Sequence, residues 1–156
     1  MTVRPEFPRE GGCACGAIRY RLTEDAVGLH VCHCTDCQRI TGSAFVMTMT
    51  VRREGLEILK GEPQPLAFET VSGISRIDRC CAACGSRLWS EPQKIPNLLA
   101  LRPGTLDEHD WLEPVAHIFL SSAQPWVPIP EGVLRYQRSP EDPLEPVRRW
   151  RGRHAS

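Results

Sequence analysis

Three short cysteine motifs constrain this chain more than any other feature. They are Gly11-Gly12-Cys13-Ala14-Cys15-Gly16, Cys32-His33-Cys34-Thr35-Asp36-Cys37 and Cys80-Cys81-Ala82-Ala83-Cys84-Gly85, and they hold all 8 cysteines. Tetrahedral zinc with Zn–S bonds of about 2.3 Å sets its sulfurs about 3.8 Å apart. A C-x-C or C-x-x-C unit wrapped round a tight turn reaches that separation, and glycine beside the pair lets the backbone turn. Gly12, Gly16 and Gly85 stand at those places. One such pair is a weak signal, but three together point to metal. Four disulfides would also satisfy the cysteine count, yet these spacings favour metal ligation.

Seven ligands divide as four plus three. A C-x-C pair with a C-x-x-C pair supplies four thiolates from distant segments, which is a closed structural site. The C-x-C-x-x-C unit supplies three from one segment and leaves a position for water or substrate. Cys80 precedes a ligand directly and is expected to face away from the metal as a small buried apolar residue. His33, between two ligands, is expected to point away too, toward a supporting contact or simple exposure. Asp36 either accepts a hydrogen bond near the open site or caps the short helix that follows. His117, in a strand reading VAHIFL, is read as a satisfied core histidine ahead of a catalytic base.

The 156 residues suit one domain, and 19 basic against 19 acidic residues leave no bulk charge to attract nucleic acid or membrane. No apolar run approaches the roughly 18 residues of a membrane span. The N-terminus MTVRPEFPREGG lacks the apolar stretch of a signal peptide. A cytoplasmic protein with reduced thiols is the expectation.

Alternation and turn residues predict a mainly β fold of antiparallel sheets. The expected strands are 17–22, 45–51, 56–60, 66–71, 74–79, 86–90, 98–102, 115–121 and 133–136. Helical turns are expected only at 36–41 and 106–111. From Arg138 the sequence SPEDPLEPVRRWRGRHAS predicts an extended or mobile tail over 138–156, after a domain over 9–137.

GGCACGAIRY, CHCTDCQRITGSAF and CAACGSRLW resemble the glutathione-dependent formaldehyde-activating enzyme family, which also includes centromere protein V. LRPGTLDE and HIFLSSAQPWVPIPEG resemble that family's C-terminal half. The resemblance implies a β-tent fold of short strands stapled by zinc. It implies one structural zinc on Cys13, Cys15, Cys81 and Cys84, and a second on Cys32, Cys34 and Cys37, so two zinc ions per chain. Cys80 departs from the family pattern, which usually has an aromatic residue there.

The implied activity is that of a carbon–sulfur lyase acting on a thiol adduct, joining glutathione and formaldehyde into S-hydroxymethylglutathione. The partner would be a small thiol such as glutathione. Its carboxylates need cations, and Arg39, two residues past the last ligand of the open site, is the leading candidate. Arg19, Arg76, Arg79 and Arg87 also lie near cysteine motifs. The motifs name no proton-transfer residue. The competing reading is a non-catalytic zinc module that binds protein or nucleic acid.

Overall fold

The computed structural model describes residues 5–153. The chain is mainly β, built from short strands with two α-helices. The described residues form two compact units, each assembled from two separate stretches: 5–26 with 49–112, and 27–48 with 113–153.

In the first unit, β1 (Arg9–Gly12), β2 (Arg19–Leu22) and β5 (Leu56–Lys60) form an antiparallel sheet in that sequence order. A second antiparallel set contains β6 (Gln64–Glu69), β7 (Ser75–Cys80), β8 (Arg87–Ser90) and β9 (Leu98–Leu101). The end of β4 (Val46–Arg52) pairs with β9, Met49 opposite Leu101. Tyr20, Leu22, Val51, Leu88, Leu99 and Leu101 make the core, and Tyr20 meets Trp89 edge to face with ring centroids 6.3 Å apart. Alternation along β2 buries Tyr20 and Leu22 and leaves Arg19 and Arg21 half-exposed, as the period-2 pattern requires.

In the second unit, β3 (Gly28–Cys32) pairs in parallel with β10 (Ala116–Ile118), and β10 pairs in parallel with β11 (Leu134–Arg135). These two parallel pairs stand beside the expected antiparallel ones of the first unit. The pairs are joined by long connections, and a parallel ladder demands exactly that kind of crossover. Helix α1 (Thr35–Thr41) follows β3, and α2 (Glu145–Gly152) packs on it.

Within the tail expected over 138–156 to be extended or mobile, 154–156 lie outside the described residues, and Glu145–Gly152 is helical as α2. Pro146 sits in its first turn, where the missing N–H costs nothing. Trp150 is 1% exposed, and the Arg153 guanidinium lies over its ring. Glu145 accepts a hydrogen bond from the Tyr136 hydroxyl, and Arg149 donates to the Gly132 carbonyl at 2.7 Å. The helical turn expected over 106–111 is absent; a 3-10 turn stands earlier, at Pro103–Thr105. Proline fixes φ at its start, and the Thr105 hydroxyl donates to the Arg102 carbonyl at 2.7 Å.

Candidate metal centres

The four-sulfur cluster is built on two turns. One leads from β1 into β2, and the other follows β7. Each turn ends on a glycine with positive φ, Gly16 at 79° and Gly85 at 76°. The Gly16 amide donates to the Cys13 carbonyl at 3.1 Å, and the Gly85 amide to the Cys81 carbonyl at 2.8 Å. A side chain at either glycine would strain the left-handed backbone that closes the turn.

The turns bring Cys13, Cys15, Cys81 and Cys84 together, with all four sulfurs within 4.8 Å of one another. Cys15 Sγ lies 3.6 Å from Cys13 Sγ and 3.8 Å from Cys81 Sγ. Those separations match a tetrahedron of Zn–S bonds near 2.3 Å and are far too long for a disulfide. Ser86 ties the two turns: its Oγ accepts the Ala14 amide at 3.0 Å and lies 3.2 Å from Cys84 Sγ.

The thiols also compete for protons. The Ser86 hydroxyl holds Cys84 down to about 5. Cys15 is lowered by the Ala17 amide but raised further by the thiols of Cys13 and Cys84, to about 11. A divalent cation would remove that competition by favouring the thiolate of every member. The donor set therefore fits a structural zinc.

The second cluster is Cys32, Cys34 and Cys37, again with sulfurs within 4.8 Å of one another. Cys32 ends β3 and Cys37 lies in α1. Cys34 is the N-cap of α1, its sulfur accepting the Cys37 amide at 3.2 Å. This assigns to Cys34 the capping role considered for Asp36, which is buried in the first helical turn. Sulfur contacts from Cys32 and Cys37 hold Cys34 down to about 2, and contacts from Cys34 and Cys37 push Cys32 far up. Among the described residues, no histidine or carboxylate joins this group, so three sulfurs are what the chain supplies.

A polar chain fixes the three-sulfur loop from behind. The His33 carbonyl accepts from Gln38 Nε2 and from the Ser122 hydroxyl, each at 2.9 Å. Gln38 also donates to the Ser122 carbonyl at 2.9 Å and accepts from Gln124 at 3.1 Å. Trp126 Nε1 in turn donates to Gln124 at 2.7 Å. The sequence reading missed Gln38, Ser122 and Gln124, because their roles come from carbonyls up to 89 residues away. His33 is fully buried, not exposed, and its Nε2 meets His117 Nδ1 at 2.9 Å. The rings stack with centroids 5.2 Å apart. Burial lowers both pKa values, and His33 and Arg135 add to the effect on His117, which falls to about 4. A neutral pair sharing one N–H···N bond is the result, so His117 is the satisfied core histidine that its strand predicts.

The family model for glutathione-dependent formaldehyde-activating enzymes matches residues 8–122, a stretch that contains both sulfur clusters. The chain belongs to that family. A Halomonas elongata protein that carries the family's name is 23% identical over 125 residues, covering 77% of this chain and 80% of its own length. A solved Rhodobacter sphaeroides structure is similar with a TM-score of 0.50 at 14% identity, covering 81% of this chain and 98% of that one. That likeness concerns the fold alone.

The family's glutathione carries two carboxylates, which makes the five candidate arginines worth separating. Arg19 pairs with Asp107, Arg79 with Glu91, and Arg76 and Arg87 with Asp78. Arg39 is exposed in the last turn of α1 and makes no ion pair among the described residues. Cys80 stands outside both sulfur clusters and is half-buried, opposite Arg87 in the strand pairing; burial raises its thiol pKa. No helix among the described residues is long and apolar enough to cross a membrane.

Proposed function

We propose that this family member is a cytoplasmic, zinc-dependent carbon–sulfur lyase-type enzyme that joins a thiol such as glutathione to formaldehyde. The carrying observation is the contrast between the clusters: one has four sulfurs, and the other stops at three on a braced loop. In this reading Cys13, Cys15, Cys81 and Cys84 hold a structural zinc, and Cys32, Cys34 and Cys37 hold the second. A zinc ion held by those three thiolates would supply a further position for a substrate thiol and would favour its deprotonated form. In the overall step, the thiol sulfur forms a bond to the formaldehyde carbon, the carbonyl π bond becomes a C–O single bond, and the thiol proton ends on that oxygen.

The chain's own residues then orient and hold. Gln38 and Ser122 fix the His33 carbonyl and so the spacing of Cys32 and Cys34. The buried His33–His117 pair stays neutral behind the loop and adds no positive charge near it. Arg39 is free to meet a substrate carboxylate, a charge-assisted contact that orients the peptide.

The test is calorimetric titration of glutathione and S-methylglutathione into protein whose metal content has been measured by native mass spectrometry. Two zinc ions per chain are expected. Glutathione affinity should rise with pH toward the free thiol value of about 8.5, and the methylated analogue should bind at least tenfold more weakly. Equal affinity for the two ligands would show that the sulfur does not meet the metal. Binding without turnover of any thiol and aldehyde would move the reading to a non-catalytic zinc module.

A further inference from the structure

One face of the β6–β9 set carries a cluster that neither sulfur site uses. Strand pairing sets it out. Asp78 lies opposite Ser90, Cys80 lies opposite Arg87 through a register shift, and Ser90 lies opposite Ala100, two residues before Arg102. Arg76 is two residues before Asp78, on the same face of β7. Three guanidiniums, one carboxylate and one hydroxyl therefore meet on a single surface.

The hydrogen bonds show how the charges are spent. Asp78, with 1% of its side chain exposed, accepts from Arg87 at 2.5 Å through one oxygen and from the Ser90 hydroxyl at 2.6 Å through the other. Arg76 is left at 3.9 Å from that carboxylate, beyond hydrogen-bond reach. It donates instead to Ser90 Oγ at 3.0 Å, and Arg102 donates to the same atom at 2.8 Å. The serine is then saturated, with one hydrogen donated and two lone pairs filled. Arg76 Nε is buried and has no acceptor.

This is a poor arrangement for a closed structural network. The five groups sum to two positive charges, and a buried guanidinium N–H without a partner costs stability. It is a good arrangement for a ligand that brings acceptors. The side chains of Arg76 and Arg87 remain 22% and 30% exposed, so solvent reaches them. Arg87 also lies over the Phe68 ring, 5.4 Å from its centroid, and exposed Leu66 is two residues before Phe68 on β6.

We propose that this face is a binding site for a small oxyanion, a phosphate or carboxylate group borne on a compact organic body. Arg76 and Arg102 supply the N–H donors, Arg87 is held in place by Asp78, and the Phe68–Leu66 strip faces the apolar part. Planar guanidiniums pair with two oxygens at once, which is why arginine serves such groups better than lysine. The site stands apart from the thiol reading: it needs neither zinc nor glutathione.

Phenylglyoxal labelling of the full-length, zinc-loaded protein tests it without any substitution. Arginines are mapped by mass spectrometry with and without inorganic phosphate, succinate or the neutral succinamide. Phosphate or succinate should slow labelling of Arg76, Arg87 and Arg102 at least threefold, while exposed Arg138 and Arg151 label at unchanged rates. Protection by phosphate alone assigns a phosphate ligand, and protection by succinate alone a carboxylate. Succinamide should give none. Arg76→Gln and Arg102→Gln should each weaken anion binding by about tenfold in titration calorimetry, as loss of one charge-assisted bond predicts. Uniform labelling with every additive, or protection equal at all arginines, would overturn the proposal.

Discussion

Replacing Trp150 with alanine should destabilise the protein by about 3–5 kcal/mol, the range of buried Trp truncations. The side chain is 1% exposed on the face of α2 that meets β3. A tryptophan buries 150–250 Å², and at about 25 cal/mol per Å² this gives roughly 4–6 kcal/mol as an upper bound. Loss of the stacking between the ring and the Arg153 guanidinium adds a smaller amount. For a chain of this size the melting temperature should fall by about 10 °C. Urea unfolding followed by far-UV circular dichroism measures the change, at fixed free zinc because bound metal shifts apparent stability. Trp150→Phe should lose about half as much. Leu144→Ala, at a residue 59% exposed, should lie within about 0.5 kcal/mol of wild type. β3 carries Cys32 at its end, so amide exchange over Gly28–Cys32 should quicken in Trp150→Ala. A variant as stable as wild type, with β3 exchange unchanged, would refute the docking of α2.

Two further perturbations separate the parts of the molecule. Cys81→Ser should lower stability by several kcal/mol, since metal affinity in a closed site is folding energy. Cys34→Ser should cost under about 1 kcal/mol, because a serine hydroxyl caps the helix as the sulfur does; equal losses in thermal melts would contradict the division into a structural and a functional site. His117 has a folded pKa of about 4 against 6.5 for the free side chain, chiefly through burial and then through His33 and Arg135. The unfolded chain therefore takes up the proton first, so this contribution is complete above pH 6.5 and is lost as pH falls toward 4. After allowance for screening it is worth about 2 kcal/mol. Wild type should lose more stability than His117→Gln between pH 7 and 5, and parallel curves would exclude the effect.

What the sequence reveals is what is local. Both turns of the four-sulfur cluster and the C-x-C-x-x-C loop are set by neighbours within six residues, and their glycines and spacings are visible directly. Strands with clean alternation, such as β4 and β5, fall within a residue or two of expectation. β3 escapes the pattern because both its faces are buried, and Gly28 and His30 interrupt its apolar run. β1, Arg-Glu-Gly-Gly, has no strand-forming residue at all and is held by pairing with β2. α2 escapes because a prolyl, arginine-rich octet with one tryptophan has little intrinsic signal; its stability comes from tertiary packing. The His33–His117 contact spans 84 residues and no local pattern reports it. The oxyanion face is hidden for the same reason, since β7, β8 and the residue after β9 supply its arginines.

The separation in sequence of the two sulfur sets has a consequence for assembly on the ribosome. Cys32, Cys34 and Cys37 emerge within six residues, so this set is chemically complete early in synthesis. The other set waits until Cys84 is made, with Cys15 and Cys81 separated by 66 positions. Joining its halves closes a long loop, with an entropic cost that nothing repays until both turns exist. The nascent chain thus presents a three-thiol hook while its β10 backing at His117 is still unwritten. On the proposed two-zinc reading, metal would meet the three-sulfur set first, as a flexible peptide, and the four-sulfur set last, once its two turns have closed.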